Sequence, residues 1–221
     1  MQFFLDSADI QQIAELTAIG LVDGITTNPT ILAKANRPYL QIVKEICTIV
    51  SGPVSVEVIA TDHPTMLKEA LIIAELADNV VVKLPLTPAG LQTCKELSQR
   101  QIQTNVTLCF SASQAILAAK AGATYVSPFV GRLDDVGQDG LVLIGEIRAI
   151  YDQYPDFNTN ILAASIRHPI HVVESAKMGA DVATMPPSVL QQMFKHPLTD
   201  RGLEQFSADW AKTGQTILAA A

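Results

Sequence analysis

The chain is organised around the stretch Asn79-Val80-Val81-Val82-Lys83-Leu84-Pro85. Three consecutive valines are typical of a buried strand. A lysine at the end of such a run is unusual, because burying an ammonium ion without a partner is costly. Desolvation favours the neutral amine, which is the form that attacks a carbonyl. The alternative is a Lys83 side chain that reaches solvent or pairs with a carboxylate.

Outward from this stretch, short β-rich runs alternate with amphipathic helical stretches along the whole chain. The predicted strands are residues 3–6, 24–27, 54–59, 79–84, 104–109, 125–129, 160–165 and 181–185. The predicted helices are residues 8–19, 39–50, 64–76, 88–100, 112–121, 141–154, 170–178 and 188–196. Eight regular strand–helix units predict an α/β protein of the single (β/α)8 TIM-barrel type.

A doubly wound open sheet is the alternative fold. Such sheets usually have fewer strands and often a glycine-rich first turn. Neither GxGxxG nor GxxxxGK[ST] occurs in the sequence, and the polar loop around 137–140 is not a phosphate-binding fingerprint. The barrel is therefore the preferred prediction.

The barrel is predicted to occupy about residues 1–198 of a single-domain chain, followed by an extra helix at about 199–218. Leu203, Phe206 and Trp210 form an apolar stripe on this helix. The stripe could cover the bottom of the barrel or pack on a neighbouring subunit. We expect the neighbour.

Composition bounds the class of protein. The chain has 221 residues, of which 48% are hydrophobic and 17% charged, and a net charge of −7. This argues for one folded domain and against a general nucleic-acid surface. No basic leader and no apolar run of membrane-spanning length is visible. Cys47, Cys94 and Cys109 form no CxxC pair, which suits buried thiols in a reducing compartment. We expect a soluble cytoplasmic protein without membrane contact.

Unusual polar residues fall near the predicted ends of successive strands, where TIM barrels carry their active sites. Singly, each has a simpler explanation. Asp6 could cap the next helix, Asn28 could belong to a strand-to-helix turn, and the arginines could form surface ion pairs. A shared site explains the whole set with one assumption. The set comprises Asp6, Thr26, Asn28, Glu57, Lys83, Asn105, Thr107, Ser127, Phe129, Arg132, Ser165 and Arg167.

No metal site is expected. The four histidines stand at positions 63, 168, 171 and 196. None has metal-ligand spacing with a second histidine or a cysteine.

These residues resemble the transaldolase family over nearly the whole chain and in the right order. The matching motifs are Leu5-Asp6, Gly24-Ile-Thr-Thr-Asn28-Pro29-Thr30, Val82-Lys83-Leu-Pro85, Asn105-Val-Thr107-Leu, Ser127-Pro-Phe129-Val-Gly-Arg132 and Ala164-Ser165-Ile-Arg167. The length resembles the small single-barrel branch, which also contains the fructose-6-phosphate aldolases. The resemblance implies a (β/α)8 barrel, a Schiff-base lysine, no cofactor and no metal. It also implies a homo-oligomer, a decamer built from two pentamers.

The resemblance implies a role for each matched position. Lys83 matches the Schiff-base lysine, Asp6 a carboxylate that transfers protons at the substrate hydroxyl, and Glu57 an acid/base that works through a water activated with Thr107. The resemblance implies that Asn28, Asn105 and Ser127 hold the dihydroxyacetone unit and that Arg132, Ser165 and Arg167 bind the phosphate. Thr26 and Phe129 are further expected substrate-binding residues.

Two positions separate the branches of the family. The fructose-6-phosphate aldolases carry Gln where Glu57 stands and Tyr where Phe129 stands, so both positions here favour a transaldolase of the pentose phosphate pathway. Arg167 agrees, since some aldolases have Lys there. Ile166 departs from a Phe common in the family. An aldolase that releases free dihydroxyacetone is the nearer alternative, and a non-catalytic barrel that binds sugar phosphates is the remote one.

Overall fold

Eight parallel strands follow one another around a closed barrel in chain order in the computed structural model, which describes residues 1–34 and 37–218. The first and last strands pair with each other, with Phe4 beside Thr184. This closure confirms the predicted TIM barrel, because a doubly wound sheet would leave two open edges. The strands are β1 (Gln2–Asp6), β2 (Gly24–Thr26), β3 (Val54–Glu57), β4 (Val80–Pro85), β5 (Thr104–Cys109), β6 (Tyr125–Pro128), β7 (Asn160–Ala163) and β8 (Val182–Met185).

Helices cover the outside of the barrel. Within the described ranges they are α1 (Ile10–Thr17), α2 (Pro29–Ala33), α3 (Tyr39–Ile49), α4 (His63–Ala74), α5 (Pro88–Gln99), α6 (Ala112–Ala121), α7 (Val130–Asp134), α8 (Gly140–Tyr151), α9 (Pro169–Lys177), α10 (Pro187–Met193) and α11 (Pro197–Ala211). Several begin at a side-chain cap, as α1 does at Asp9, whose carboxylate accepts from the Gln12 N–H. Asp6 is therefore not the cap of α1.

Two short helices were missed by the sequence analysis. Asn28 caps α2 by accepting from the Ile31 N–H, and Pro29 occupies its first turn, where a missing N–H costs nothing. No helix is predicted between the strand at 125–129 and the helix at 141–154, but this segment begins with α7, which buries Val130 and Leu133. Both helices are too short for a periodic pattern to reveal them.

Two strands, β3 and β7, end earlier than predicted. β3 ends at Glu57 rather than 59, because the Glu69 carboxylate accepts from the N–H groups of Ile59 and Ala60. β7 ends at Ala163 rather than 165, where Ser165 adopts a φ of 58°. These ends are set by contacts that are distant in sequence.

The barrel interior has two layers. Apolar side chains fill one layer, as a small cluster separate from the larger core between strands and helices: Phe4, Val81, Tyr125, Leu162, Ala164 and Val182. Two residues further along several of these strands, the alternation places polar residues on the same inner face, among them Asp6, Lys83 and Ser127. The second layer therefore gathers polar groups at the C-terminal ends of the strands.

The extra helix α11 is shorter than predicted and lies exposed. It ends at Ala211, and none of its residues is buried in the described part of the chain. Leu203, Phe206 and Trp210 are 60%, 73% and 45% exposed. The stripe is thus not covered by its own barrel. Among residues 1–34 and 37–218, no helix combines the length and the apolar character that crossing a membrane requires.

Gly24 tests the packing of the barrel interior. A Cβ at this position would lie 2.6 Å from the Pro53 carbonyl oxygen and 2.7 Å from the Phe4 ring. We expect Gly24→Ala to lower the free energy of unfolding by about 1–3 kcal/mol, as overpacking does. Urea denaturation measures this.

Gly145→Ala is the matched control, since its Cβ would meet nothing closer than the Met178 sulfur at 3.9 Å. In this helical position alanine should leave stability unchanged or raise it by up to ~1 kcal/mol. Equal denaturation midpoints for Gly24→Ala and the unmodified protein would contradict the packing argument.

Candidate active site

Lys83 stands at the centre of the polar layer. It lies beside Glu57 of β3 and Asn105 of β5 in the strand register, and its residue is 5% exposed. The Nζ atom is 3.0 Å from Glu57 Oε2 and donates to the Thr27 carbonyl oxygen at 3.0 Å. The carboxylate is a partner for the buried amine and a nearby acceptor for its proton. The sequence left open whether Lys83 is a buried reactive amine, reaches solvent or pairs with a carboxylate. The structure shows it buried and paired with Glu57.

Hydrogen bonds to the backbone at and after Glu57 fix the position of its side chain. The Tyr39 hydroxyl donates to the Glu57 carbonyl oxygen at 2.7 Å. Glu69 accepts from the N–H groups of Ile59 and Ala60 at 2.7 and 2.8 Å. These contacts anchor the chain on the C-terminal side of Glu57 and keep its carboxylate beside Lys83.

Asp6, at the end of β1, lies close enough to Lys83 for the lysine charge to act on its carboxyl. Its Oδ1 accepts from Thr26 Oγ1 at 3.0 Å, and Thr26 Oγ1 is 2.6 Å from Thr184 Oγ1. Burial raises the pKa of the Asp6 carboxyl above its usual range, while the Lys83 charge and the Thr26 hydrogen bond act in the opposite direction. A carboxyl shifted in this direction binds protons more readily than an ordinary aspartate.

Asn105 belongs to a buried chain of hydrogen bonds across three strands. Its amide nitrogen donates to Ser55 Oγ at 3.1 Å, and its amide oxygen accepts from Ser127 Oγ at 2.7 Å. Thr107 Oγ1 is also buried, but it has no hydrogen-bond partner among the described residues. An unpaired buried hydroxyl of this kind can bind a water or a substrate oxygen.

The phosphate-binding candidates follow β6 and β7. The Arg132 guanidinium stacks over the Phe129 ring at 5.0 Å from its centroid, and Phe129 packs edge-on against Phe110. Arg167 Nη2 donates to Asp135 Oδ2 at 2.8 Å. Ser165, with its left-handed φ, lies between the arginines in sequence.

One cavity of about 280 Å³ is lined both by Lys83 and Asp6 and by the arginines Arg132 and Arg167. The predicted residues in its wall are Asp6, Thr26, Asn28, Lys83, Ser127, Phe129, Arg132, Ser165 and Arg167. Glu57 and Asn105 lie behind the wall, in contact with Lys83 and Ser127. Thr107 also lies outside the lining. The structure thus brings nine of the twelve predicted residues to one cavity wall and two more directly behind it.

The sequence analysis missed other residues of the site. Thr184 and Ser188 line the cavity, and Tyr39 supports Glu57. Inward alternation along β8 points to Thr184, because it stands two residues after the inward-facing Val182. No local pattern marks Tyr39, whose hydrogen bond joins residues 18 apart.

Comparison with known proteins identifies the family. The model of the Transaldolase/Fructose-6-phosphate aldolase family matches residues 3–217. A "Probable transaldolase" of Rhodospirillum centenum is 63% identical over 99% of this chain and 94% of the relative. Proteins of that name from Rhizorhabdus wittichii and Brucella ovis are 61% and 59% identical, over 99% and 98% of this chain and 100% of each relative.

The chain belongs to the Transaldolase/Fructose-6-phosphate aldolase family. The resemblance found in the sequence is therefore confirmed, as is the expectation of an enzyme of this family.

Asp6 allows a prediction about pH and stability. Its folded pKa lies above the unfolded value, so the folded protein binds the proton more tightly, and stability falls as pH rises above about 4 through the shifted pKa. We expect Asp6→Asn to have a higher thermal midpoint than the unmodified protein at pH 7, with a difference that shrinks below pH 4. Thermal unfolding across this pH range measures the difference.

Asp62→Asn is the control of opposite sign. The Thr65 backbone N–H lowers the pKa of the Asp62 carboxyl, so its contribution to stability is present at pH 7 and is lost as pH falls. The Asp62 variant should not gain stability at pH 7. A thermal midpoint at pH 7 that is lower for Asp6→Asn than for the unmodified protein would contradict the argument, because it would show that burial is not the largest effect on the Asp6 pKa.

Proposed function

We propose that this transaldolase transfers a dihydroxyacetone unit between sugar phosphates through a Schiff base on Lys83. One observation carries the proposal: the buried Lys83 amine is 3.0 Å from the Glu57 carboxylate and shares one cavity with Asp6 and two arginines. The family match and the names of the relatives support the activity. The substrates are fructose 6-phosphate or sedoheptulose 7-phosphate as donor and an aldose phosphate as acceptor.

The first half-reaction begins at the substrate ketone. The Lys83 amine loses its proton and attacks C2, and the C2 oxygen leaves as water, which produces an iminium ion. Glu57 accepts and returns protons for these steps through a water bound with the free Thr107 hydroxyl. The iminium ion then takes up the electron pair of the C3–C4 bond as it breaks. The iminium ion is the electron sink, so the proposed reaction uses no metal or other cofactor.

Asp6 handles the proton at the cleaved bond. It takes the C4 hydroxyl proton, and the first aldose leaves with a new aldehyde. The enamine that remains on Lys83 attacks the aldehyde carbon of the acceptor, and Asp6 returns the proton to the new hydroxyl. Water then hydrolyses the imine and releases the product ketose. The raised pKa of Asp6 suits a group that both accepts and donates a proton.

The other cavity residues bind the substrate. Asn28, Ser127 and Thr26 provide hydrogen bonds for the dihydroxyacetone unit, and Asn105 supports them from behind through its hydrogen bond with Ser127. Arg132, Ser165 and Arg167 bind the phosphate, where guanidinium groups offer paired donors. Phe129 has no hydroxyl that could assist attack by water on the intermediate, which favours transfer over release of dihydroxyacetone.

The function is tested by supplying fructose 6-phosphate with and without erythrose 4-phosphate. We expect steady release of glyceraldehyde 3-phosphate only when the acceptor is present, and borohydride trapping of the donor on Lys83. Lys83→Ala should abolish both the turnover and the trapping, as seen by mass spectrometry of the peptide.

Other results would contradict the proposal. Steady release of free dihydroxyacetone without acceptor would identify an aldolase. Phosphate binding without turnover or a reducible adduct would identify a sugar-phosphate-binding barrel. Trapping at another lysine would remove Lys83 from the mechanism.

The proposal extends to the setting of the enzyme. Sugar phosphates of this kind belong to the pentose phosphate pathway, and Cys47, Cys94 and Cys109 are free thiols, which suits the reducing cytoplasm. Neither a nucleic acid nor a membrane is among the proposed partners.

A second copy of the chain is the proposed partner of α11. Leu203, Phe206 and Trp210 recur at helical spacing and are all exposed, which is unfavourable for a helix in water. Burial against neighbouring subunits within a decamer, a dimer of pentamers, would remove this exposure.

Substitutions on α11 test the assembly. We expect Phe206→Glu combined with Trp210→Glu to reduce the particle mass, because charges on the stripe oppose its burial. Light scattering after size-exclusion chromatography measures the mass. Gln205→Ala is the control, since Gln205 contacts only Asp209 of the same helix among the hydrogen bonds of the described residues. An unchanged mass for the double variant would exclude α11 as the assembly surface.

A further inference from the structure

His171 lies outside the proposed mechanism, yet it is 6% exposed and both of its ring nitrogens lie close to polar atoms. It stands in the first turn of α9. Its Nδ1 lies 3.3 Å from the Arg167 backbone nitrogen, and its Nε2 lies 3.1 Å from Asp134 Oδ2. The backbone N–H can only donate, so Nδ1 accepts and the single proton of the neutral ring is on Nε2, the nitrogen next to Asp134.

Asp134 is itself fixed in orientation. Its other oxygen, Oδ1, accepts from the Gly140 N–H at 3.0 Å. Asp134 ends α7, the helix that carries Arg132, whereas Arg167 follows β7. The imidazole therefore joins the two segments that carry the two arginines of the phosphate end.

The loop after β7 needs such a contact. Ser165 has a left-handed φ of 58°, which L side chains rarely adopt and which surrounding contacts must maintain. The Ser165 carbonyl accepts from the Gly131 N–H at 3.1 Å. The Arg167–Asp135 ion pair is exposed and contributes little rigidity. His171 provides a buried contact to the backbone N–H of Arg167.

We infer that His171 is a positioning residue for phosphate recognition: as a neutral imidazole it ties the Arg167 backbone to Asp134 and so sets the spacing of Arg167 and Arg132. This inference rests on the proposed sugar-phosphate substrates. It assigns His171 no contact with the reacting atoms. Its loss therefore weakens binding of the phosphate group and leaves the chemistry at Lys83 intact.

The environment of the ring favours the neutral state that this role requires. Burial lowers the pKa of His171, and the neighbouring His168 and Arg167 act in the same direction. Asp134 and Asp139 oppose them. A protonated Nδ1 would face the Arg167 N–H donor to donor, and the tie would be lost.

His171→Gln tests the inference, because its amide can still reach Asp134 but offers no acceptor at the position of Nδ1. We expect the KM for fructose 6-phosphate and the Kd for inorganic phosphate to rise about tenfold, the order expected for one buried hydrogen bond. The kcat should stay within about twofold. Steady-state kinetics and calorimetry with inorganic phosphate provide these values.

Asp134→Asn tests the direction of the proton. The Gly140 N–H requires the amide oxygen on its side, so the amide nitrogen faces His171 Nε2 and donates to it. The neutral ring must then carry its proton on Nδ1, which opposes the Arg167 N–H. We expect the same rise in KM and Kd, and a double variant no worse than either single variant.

His63→Gln is the matched control. Its Nδ1 is 2.9 Å from Thr93 Oγ1 and its Nε2 is 3.6 Å from Glu96, but none of these residues lines the cavity. It should leave phosphate binding unchanged. Borohydride trapping of dihydroxyacetone, which has no phosphate, should be equal in all variants.

The outcomes separate the inference from the proposed function. An unchanged Kd for inorganic phosphate in His171→Gln would overturn the inference. A fall in kcat, or in trapping of dihydroxyacetone, that matches the loss with fructose 6-phosphate would assign His171 a general structural role and overturn it as well. If the unmodified protein traps no donor, the lysine mechanism fails, while the phosphate measurement still decides the role of His171.

Discussion

A charged pair in the barrel interior sets the main constraint on this molecule. Lys83 and Glu57 are mostly shielded from water, with side chains 6% and 14% exposed. A buried charge without its partner costs roughly 3–5 kcal/mol, so neither residue is tolerated there alone. The pair also cannot satisfy every donor of the amine, and the Thr27 carbonyl accepts a further hydrogen bond. The site therefore depends on three adjacent strands in fixed register.

This constraint explains why the barrel interior is divided. An apolar layer that includes Phe4, Val81 and Tyr125 closes the barrel below the site. Above it, hydroxyl and amide groups pair with one another across strands, as Ser127 does with Asn105. Such pairing lets polar groups stay buried at little cost while they remain available to a ligand. The apolar layer contributes stability, and the polar layer is left for chemistry.

The sequence predicts the parts of this arrangement that follow from local periodicity. Valines before Lys83 mark β4, and alternation places Asn105 and Thr107 on one face of β5. The sequence does not predict α7, because its five residues are too few to show a helical period. It does not reveal Tyr39 or Glu69 as supports of Glu57, because those contacts exist only once helices dock on the barrel. The predicted ends of β3 and β7 were wrong for the same reason, since contacts distant in sequence set them.

The two ends of the cavity are held in different ways. Residues at the lysine end stand on strands, whose hydrogen-bonded register fixes them regardless of their side-chain contacts. The arginines stand on a short helix and a loop beyond β6 and β7, where the sheet continues only as an isolated bridge between Phe129 and Ala164. Their spacing must come from side chains and close backbone contacts: His171 between Asp134 and Arg167, and Gly131 against Ser165. A Cβ at Gly131 would lie 2.3 Å from the Ser165 oxygen, so only glycine allows this approach. Substitutions at these contacts can therefore change the spacing of the two arginines without changing the chemistry at Lys83.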